Sequence, residues 1–308
     1  MTYLLFFITN ASVFSVGGMG EDMSVFRMPF YGLQNQAQLQ FVISPEFNFI
    51  AKNGDFRNCY WTNPFMLNMQ IPLSDRLLLS VGNTERFDQS SDIYMARDQL
   101  TMHLLADGGI EEFRAQVNAN LPIAEFFGAG SYLFGTAREI WEYDVGDYIS
   151  VDSFNYEYYG TVFSAGFRYR FAALAYEGLG RVTMSLTSGD TSFDLPQRLT
   201  VGLIPVLGEY KFKILFEHSF WNGYKSPNRF QLGFARGGYQ IAYSFNPWYY
   251  NGITEHGLSV GRVLPLKNIG FIGLDLQTTY RSRGGLMELK VIPQLKLTLE
   301  EIFSRRRK

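Results

Sequence analysis

The 308-residue chain contains 46% hydrophobic, 17% aromatic and only 18% charged side chains, and its formal net charge is −2. Charged residues are fewer than the roughly 25% usual in soluble domains, which indicates that part of the surface does not face water. The near-neutral charge argues against a nucleic-acid partner. Because Cys59 is the only cysteine, no intramolecular disulfide can form, and three scattered histidines give little support for a metal site.

Residues 1–15 predict a secretory signal peptide. An apolar run at residues 3–8 is followed by small residues, and Val13 and Ser15 fit the positions before a cleavage site. No Lys or Arg precedes the apolar run, although a signal peptide normally begins with such residues. We therefore favour a signal peptide whose start lies upstream, and the alternative is a plug or a first strand.

Fourteen segments after residue 38 alternate between polar and apolar side chains. This period of two is typical of β-strands with two unlike faces, and helical periodicity is almost absent. No apolar run reaches the length of a spanning helix. The predicted strands cover residues 39–50, 64–71, 76–84, 110–121, 125–135, 159–171, 172–187, 195–204, 210–221, 228–236, 239–248, 255–264, 269–281 and 286–300.

The connections between these strands alternate in length. Short turns, such as Pro-Ile-Ala-Glu at residues 122–125, alternate with longer links, such as residues 51–63, 85–109 and 136–158. The link 85–109 leaves room for one helix. Outer-membrane barrels have short turns at one rim and longer loops at the other, whereas a β-sandwich has no reason to sort its connections. The sequence therefore predicts an all-β, transmembrane, antiparallel up-and-down β-barrel of about fourteen strands.

The alternation assigns the two faces of the barrel wall. Hydrocarbon offers no hydrogen-bond partner, so a sheet that crosses it must close on itself and turn its apolar face outward. On the fourth predicted strand, Val117 faces lipid and Asn118 faces the lumen. Charges of the lumen face either neutralise one another or guide an anionic solute, and we favour a neutral network because both signs occur. The candidates are Arg114, Arg168, Arg170, Arg181, Arg198, Lys213, Glu177, Glu217 and Asp275.

Aromatic residues gather near the predicted strand ends. Examples are Trp221, Trp248, Tyr249 and Tyr280. Amphipathic rings favour the boundary between water and lipid. We expect these residues to form two interfacial girdles.

Residues 257–261 read Gly-Leu-Ser-Val-Gly and match the G-x-S-x-G pattern of a serine nucleophile, with His256 beside them. That pattern needs a sharp turn between a strand and a helix, but Ser259 lies within an alternating strand. No acid close by would orient His218 or His256. We expect no enzyme activity, and a barrel-embedded lipase is a minor alternative that depends on Ser259.

The chain resembles the FadL-type family of outer-membrane transport barrels, which includes the PorV-type proteins. The resemblance rests on "SVGGMGEDMSVF" at residues 15–26 and on "NMQIPLSDRLLLSVG" at residues 68–82. It also rests on the alternation of short and long connections along the fourteen predicted strands. It covers most of the chain. The family's Asn-Pro-Ala step after the glycine-rich start is absent, because this region reads "FRMPFYGLQNQAQ" at residues 26–38.

The resemblance implies a division of the chain. Residues 16–38 would fold into the lumen as a short plug, residues 39–303 would form the barrel, and residues 304–308 would be a basic periplasmic tail. In that plug, the residues that would either contact the ligand or pack the plug against the wall are Phe26, Met28, Phe30 and Tyr31.

The resemblance also implies a function. We expect a protein of the bacterial outer membrane that passively takes up or binds hydrophobic small molecules such as fatty acids. Its partners would be outer-membrane lipids and the hydrophobic ligand, without a cofactor, a metal or a nucleic acid. The alternative is a PorV-type docking barrel whose long loops, such as the aromatic loop at residues 137–158, contact a surface or secreted protein.

Overall fold

The computed structural model describes residues 5–8, 21–31, 36–52, 55–62, 66–97, 100–146, 148–186, 189–249, 252–267 and 269–300. Every helix or strand assigned in these residues is a β-strand, as the period-two alternation predicts. The same residues contain no helix long and apolar enough to cross a membrane.

The strands follow one another along the chain with few irregular residues between them. They are β1 (Leu5–Ile8), β2 (Glu21–Asp22), β3 (Gln38–Ile43), β4 (Pro45–Lys52), β5 (Asp55–Thr62), β6 (Met66–Ser74), β7 (Leu77–Asp88), β8 (Ser91–Arg97), β9 (Leu100–Asn120), β10 (Ala124–Val145), β11 (Tyr148–Tyr169), β12 (Ala172–Leu186), β13 (Gly189–Asp194), β14 (Gln197–Leu203), β15 (Val206–Leu207), β16 (Tyr210–Phe220), β17 (Asn228–Arg236), β18 (Tyr239–Phe245), β19 (Thr254–Leu266), β20 (Gly270–Arg283) and β21 (Leu286–Glu300).

These strands form one antiparallel sheet that closes on itself. Within the described residues, 14 strands build the wall, and some of them are interrupted, so that β3 and β4 make the first and β5 and β6 the second. The last strand, β21, pairs with β3 over residues 295–300 and with β4 over residues 286–291. This closure confirms the predicted barrel.

Side chains alternate across the wall. On β9, Val117 is 44% exposed on the outer face, whereas Gln116 and Asn118 on the inner face are 2% and 0% exposed. On β10, Phe126 is exposed and Phe127 is buried. The outer face is therefore apolar and the inner face is polar or covered, which is the arrangement that a barrel in lipid requires.

The two rims of the barrel differ. The short-turn rim carries tight connections such as residues 75–76, 170–171 and 237–238. At the opposite long-loop rim, β10 and β11 contain 22 residues each. β9 accompanies β10 as far as Leu100↔Val145, whereas β12 accompanies β11 only as far as Ser185↔Glu157. A strand of this length spans about 70 Å, whereas crossing a membrane takes about 9 to 11 tilted residues. The β10–β11 hairpin therefore projects from the wall.

Four of the longer segments predicted as connections contain strands. The predicted link 188–194 contains β13, which pairs with β12 from Arg181↔Asp194 to Leu186↔Gly189. The predicted link 51–63 contains β5, which pairs with β4 from Pro45↔Thr62 to Lys52↔Asp55. The helix expected within residues 85–109 is wrong, because β8 and the start of β9 form a hairpin there. The link 136–158 is the distal half of the β10–β11 hairpin. The sequence does not predict these strands because their polar and apolar residues do not alternate regularly.

The chain termini are described in part. Of the predicted signal peptide, Leu5–Ile8 forms β1 and pairs with β8, and the other residues of 1–15 lie outside the described part. The predicted tail at residues 304–308 also lies outside it. Within the predicted plug, residues 21–31 and 36–38 are described, and Gln38 already belongs to β3. Residues 21–31 are called the plug segment below. Its strand β2 pairs with the end of β7 at Phe87 and Asp88.

A buried apolar cluster fills the lumen near the long-loop rim. Its members include Trp221 and Tyr249, whose rings stack with centroids 3.8 Å apart. The predicted girdle is wrong for Trp221, Trp248 and Tyr249, which are at most 7% exposed because the connections that carry them fold inward. Tyr280 is exposed on the wall, as expected. The cluster comprises Phe87, Ile110, Leu133, Ala137, Tyr158, Val162, Val182, Leu195, Trp221, Trp248, Tyr249 and Ile253.

The outer face provides a first test. Val117→Arg places a charge at mid-wall, and we expect it to destabilise the barrel in lipid by about 2 to 4 kcal/mol. Ile123→Arg is the control, because Ile123 lies in a short turn and is 72% exposed. The measurement is the free energy of unfolding in lipid vesicles by denaturant titration. Equal losses for the two variants would contradict a lipid-facing outer surface.

Candidate functional site: the plugged lumen

A network of buried charges centres on Glu112 of β9. Its side chain is 0% exposed, and both carboxylate oxygens accept hydrogen bonds from Arg27 of the plug segment at 2.8 Å. Ser131 donates to Glu112 at 2.6 Å, and a nitrogen of Arg86 lies 3.5 Å from it. Burial removes the carboxylate from water, so it requires such partners. A wall charge thus fixes the position of the plug segment.

A second set of charges continues the network across the lumen. Arg86 of β7 donates to both carboxylate oxygens of Glu177 on β12, at 3.1 and 2.5 Å. Arg198 of β14 lies 4.0 Å from Glu177 and donates to the hydroxyl of Ser24 in the plug segment at 2.5 Å. The wall therefore holds the plug segment at two side chains, Ser24 and Arg27.

The backbone of the plug segment is also bonded to the wall. The Phe26 N–H donates to Glu217 of β16 at 2.9 Å, and Arg229 donates to the same carboxylate at 2.9 Å. The Pro29 carbonyl accepts hydrogen bonds from the amides of Gln116 and Asn118 at 2.7 and 3.1 Å. Polar groups of the wall thus satisfy the backbone of a segment that has little secondary structure.

The apolar residues predicted for the plug lie against the wall. The Phe30 ring meets Phe127 edge-on with centroids 5.0 Å apart. The Met28 methyl lies 2.9 Å from the place that a Cβ on Gly202 would occupy, so this glycine makes room for the plug segment. Tyr31 lines a cavity that is defined below. Phe26 is half-buried and lines a second cavity. Ligand contact by these residues stays a prediction.

Most of the predicted lumen charges point inward. Arg168 pairs with Glu125 at 2.6 Å, and Asp275 pairs with Lys296 at 2.7 Å. Lys213 is half-buried between the exposed Phe212 and Ile214 of the same strand. The other inward residues are Arg114, Arg198, Glu177 and Glu217. Positively and negatively charged side chains thus lie within hydrogen-bonding distance of each other, as a neutralising network requires.

Arg170 and Arg181 do not join this network. Arg170 is an exposed turn residue at the short-turn rim, with φ 52° and its guanidinium over the Tyr169 ring. In β12 a register shift between Glu177 and Arg181 reverses the faces, so Arg181 is exposed and Val182 is 0% exposed. The prediction that both arginines face the lumen is corrected by these two local irregularities.

Two cavities lie between the plug segment and the wall. The turn-side cavity has a volume of about 350 Å³ and is lined by Val42, Met66, Arg114 and Lys296, together with Arg27 and Tyr31 of the plug segment. The loop-side cavity has a volume of about 280 Å³. The two cavities share Met66, Thr84 and Gln294 in their linings, so they adjoin each other.

The wall departs from a regular cylinder beside these cavities. Strand β6 pairs with β7 only as far as Gly82, and further along, the same edge of β7 pairs with β2 of the plug segment. A Cβ on Gly135 would lie 2.1 Å from the Gly109 carbonyl oxygen, and one on Gly109 would lie 2.1 Å from that of Phe87. Glycine is therefore required where β7, β9 and β10 approach closely.

A groove of about 820 Å³ follows this irregular part of the wall. The wall groove is lined by Gly108, Gly109 and Gly135, by the exposed rings of Tyr132, Phe134 and Tyr159, and by several acidic residues. Glu85 lines both the wall groove and the loop-side cavity. The groove and the lumen are thus separated by little more than one side chain.

Sequence reasoning missed several residues of the network. Glu112 lies two residues before Arg114, so the alternation of β9 could have placed it on the inner face. Arg86 could not be placed in this way, because it lies at a register shift of β7 between Glu85 and Phe87. Arg27 precedes the barrel strands and carries no local signal. Its partner Glu112 is 85 residues away.

The serine motif does not bring Ser259 and His256 together. His256 is exposed on the outer face of β19, where its Nδ1 lies 2.8 Å from the Tyr243 hydroxyl. Ser259 lies three residues further along the same strand and therefore on the opposite face. No group of residues suited to hold a metal ion occurs among the described residues. The lipase alternative loses its support.

Comparison with known proteins relates the fold to transport barrels. No protein-family model matches the sequence, and no characterised protein is significantly similar to it. Among solved structures, the CymD monoaromatic hydrocarbon channel matches with a TM-score of 0.59 and 9% identity, over 87% of this chain and 89% of that chain. A Pseudomonas aeruginosa FadL homologue matches with a TM-score of 0.57 and 7% identity, over 86% and 90%. The Pseudomonas putida toluene transporter TodX matches with a TM-score of 0.55 and 10% identity, over 88% and 90%. At these identities the similarity establishes a FadL-like outer-membrane barrel fold.

The charge network provides a second test. Glu112→Gln leaves the buried Arg86 without one of its two carboxylates and frees Arg27, so we expect a loss of about 3 to 5 kcal/mol in stability. Residues 21–31 should also become cleavable by protease. Glu209→Gln is the matched control, because Glu209 pairs with Arg236 at the surface, where a pair contributes about 0 to 1 kcal/mol. A plug segment that stays protected in Glu112→Gln would contradict its fixation by the wall charge.

Proposed function

We propose that this chain is a channel of the bacterial outer membrane that lets hydrophobic small molecules pass down their concentration gradient. The proposal is supported by the fold, which is shared with a monoaromatic hydrocarbon channel and a toluene transporter. The observation on this chain that supports the proposal most directly is the position of the plug segment beside the wall groove. The plug segment occupies the lumen where β7 leaves β6, and the wall groove lies beside that point.

The geometry suggests a path for an apolar solute. The exposed rings of Tyr132, Phe134 and Tyr159 would receive it in the wall groove, next to the lipid-facing surface. A shift of the plug segment would connect the groove with the lumen near Glu85. The channel couples no energy source to this step, so the solute gradient alone would set the direction of transport.

The turn-side cavity suits a fatty acid better than a plain hydrocarbon. Val42, Met66 and Leu67 offer apolar contacts for a chain, and Arg27, Arg114 and Lys296 lie at the same cavity. Arginine and lysine bind a carboxylate through charge-assisted hydrogen bonds. Fatty acids are therefore the solutes that we propose first, and the protein would contact outer-membrane lipids around its wall.

One observation favours the docking alternative. Tyr148 and Ile149 at the tip of the β10–β11 hairpin are each 68% exposed. Within the described residues, the part of β11 before Glu157 pairs only with β10, so its other edge is open to an added strand. Such a surface would serve a secreted or surface protein. A docking barrel would leave the uptake of lipophilic compounds unchanged when it is deleted.

Uptake by cells that express variants of the wall groove tests the transport proposal. Thr136 lines the groove, so Thr136→Trp should fill it and lower the uptake of a radiolabelled fatty acid several-fold. Gly128→Trp is the control on the same face of β10, because a Cβ on Gly128 meets no atom within 4 Å. Uptake that depends on the protein but is insensitive to Thr136→Trp would refute the groove as the entry point. Uptake that does not depend on the protein would refute transport.

A further inference from the structure

The loop-side cavity has a wall of neutral polar side chains. Gln231 of β17, Gln277 of β20 and Gln294 of β21 line it, together with Ser44, Ser244, Asn246 and Thr279. In the part of the chain that the structure describes, the three glutamine carboxamides take part in no side-chain hydrogen bond. This half of the lumen differs from the half around Glu112, where the charged groups bind one another and the plug segment.

Some of these polar groups are buried as well as unpartnered. Ser44 is 2% exposed and Asn246 is 8% exposed, and neither the Ser44 hydroxyl nor the Asn246 side-chain oxygen has a hydrogen-bond partner among the described residues. Buried polar groups in folded proteins are nearly always satisfied by protein, water or ligand. The amides and hydroxyls that line the loop-side cavity therefore favour a polar occupant over an apolar one.

The remaining lining restricts the chemistry of the occupant. Glu46, Glu85 and Glu255 line the cavity, whereas no arginine or lysine of the described residues does. Glu46 is paired with Lys290 and Glu255 with Arg281, and neither cation lines the cavity. The described lining therefore offers an anion no cation to bind, and this favours an uncharged solute over an anion. The amides and hydroxyls, which both donate and accept, suit hydroxyl groups.

The cavity also has an apolar side and a suitable size. Phe26, Val25 and Met23 of the plug segment face the polar wall together with Ile292. A volume of about 280 Å³ corresponds to about nine water molecules at about 30 Å³ each, which is enough for a sugar ring. We propose that the loop-side cavity binds an uncharged polyhydroxylated solute of monosaccharide size, with its hydroxyls on the glutamine wall and its C–H face on Phe26.

Binding can be measured by saturation-transfer NMR on the full-length protein. An amine-oxide detergent is required, because a maltoside carries sugar head groups that would compete. The probes are glucose and glucuronate, which share a pyranose ring of similar size but differ in charge. We expect saturation transfer to glucose and little to glucuronate. No transfer to glucose, or equal transfer to both, would overturn the proposal.

Variants of the glutamine wall locate the binding site. Gln231→Leu and Gln277→Leu keep the side-chain volume but remove the hydrogen bonds, so each should weaken glucose binding about three- to tenfold. The control is Gln197→Leu, because Gln197 is exposed on β14 and accepts a bond from Tyr176. Equal weakening in the control, or no change in either wall variant, would refute the site.

Folding of each variant is checked by its mobility on an unheated gel. Where a leucine variant does not fold, Ser244→Ala takes its place, since it removes one hydroxyl from the same lining. This site and the channel for hydrophobic molecules can fail independently. Fatty-acid uptake reports on the wall groove, and glucose binding reports on the loop-side cavity.

Discussion

Closure of the sheet is the constraint on which the rest of the structure depends. A strand in hydrocarbon has no water to satisfy its backbone N–H and C=O groups, so it must pair with a neighbour on both sides. The pairing of β21 with β3 and β4 meets this requirement. Once the wall is closed, every second side chain is confined to the lumen. That inner set holds the plug segment, supplies most of the charge network and lines both cavities.

The inward-facing side chains form a charged half and a neutral polar half, and this separation determines where the plug segment lies. A buried charge without a partner is costly, so Glu112, Glu177 and Glu217 need fixed cations and N–H donors. The plug segment supplies some of these through Arg27 and the Phe26 N–H. Neutral amides and hydroxyls can exchange their partners with water at lower cost. The plug segment therefore adheres to the charged half, and the loop-side cavity remains beside the neutral half.

The sequence predicts the wall well because the two faces of each strand meet different media. Val117 and Asn118 can be assigned to opposite faces from their neighbours alone. The same reasoning is unable to pair residues across the lumen, since Arg27 and Glu112 are 85 positions apart and no local pattern links them. It also fails in β5 and in the distal part of β10, where polar and apolar residues do not alternate regularly. Trp221 is misplaced because its connection folds into the lumen, which is a tertiary effect.

The errors within the wall have a common cause. A bulge shifts the alternation by one residue and so reverses the faces that follow it. In β7 the shift at Arg86 joins this residue to the network and leaves Glu85 between the loop-side cavity and the wall groove. In β12 the shift turns Arg181 outward and brings Val182 into the apolar cluster. Local rules are expected to fail where a protein has built a site. In such a barrel, a break in the alternation is therefore a better guide to the functional region than the alternation itself.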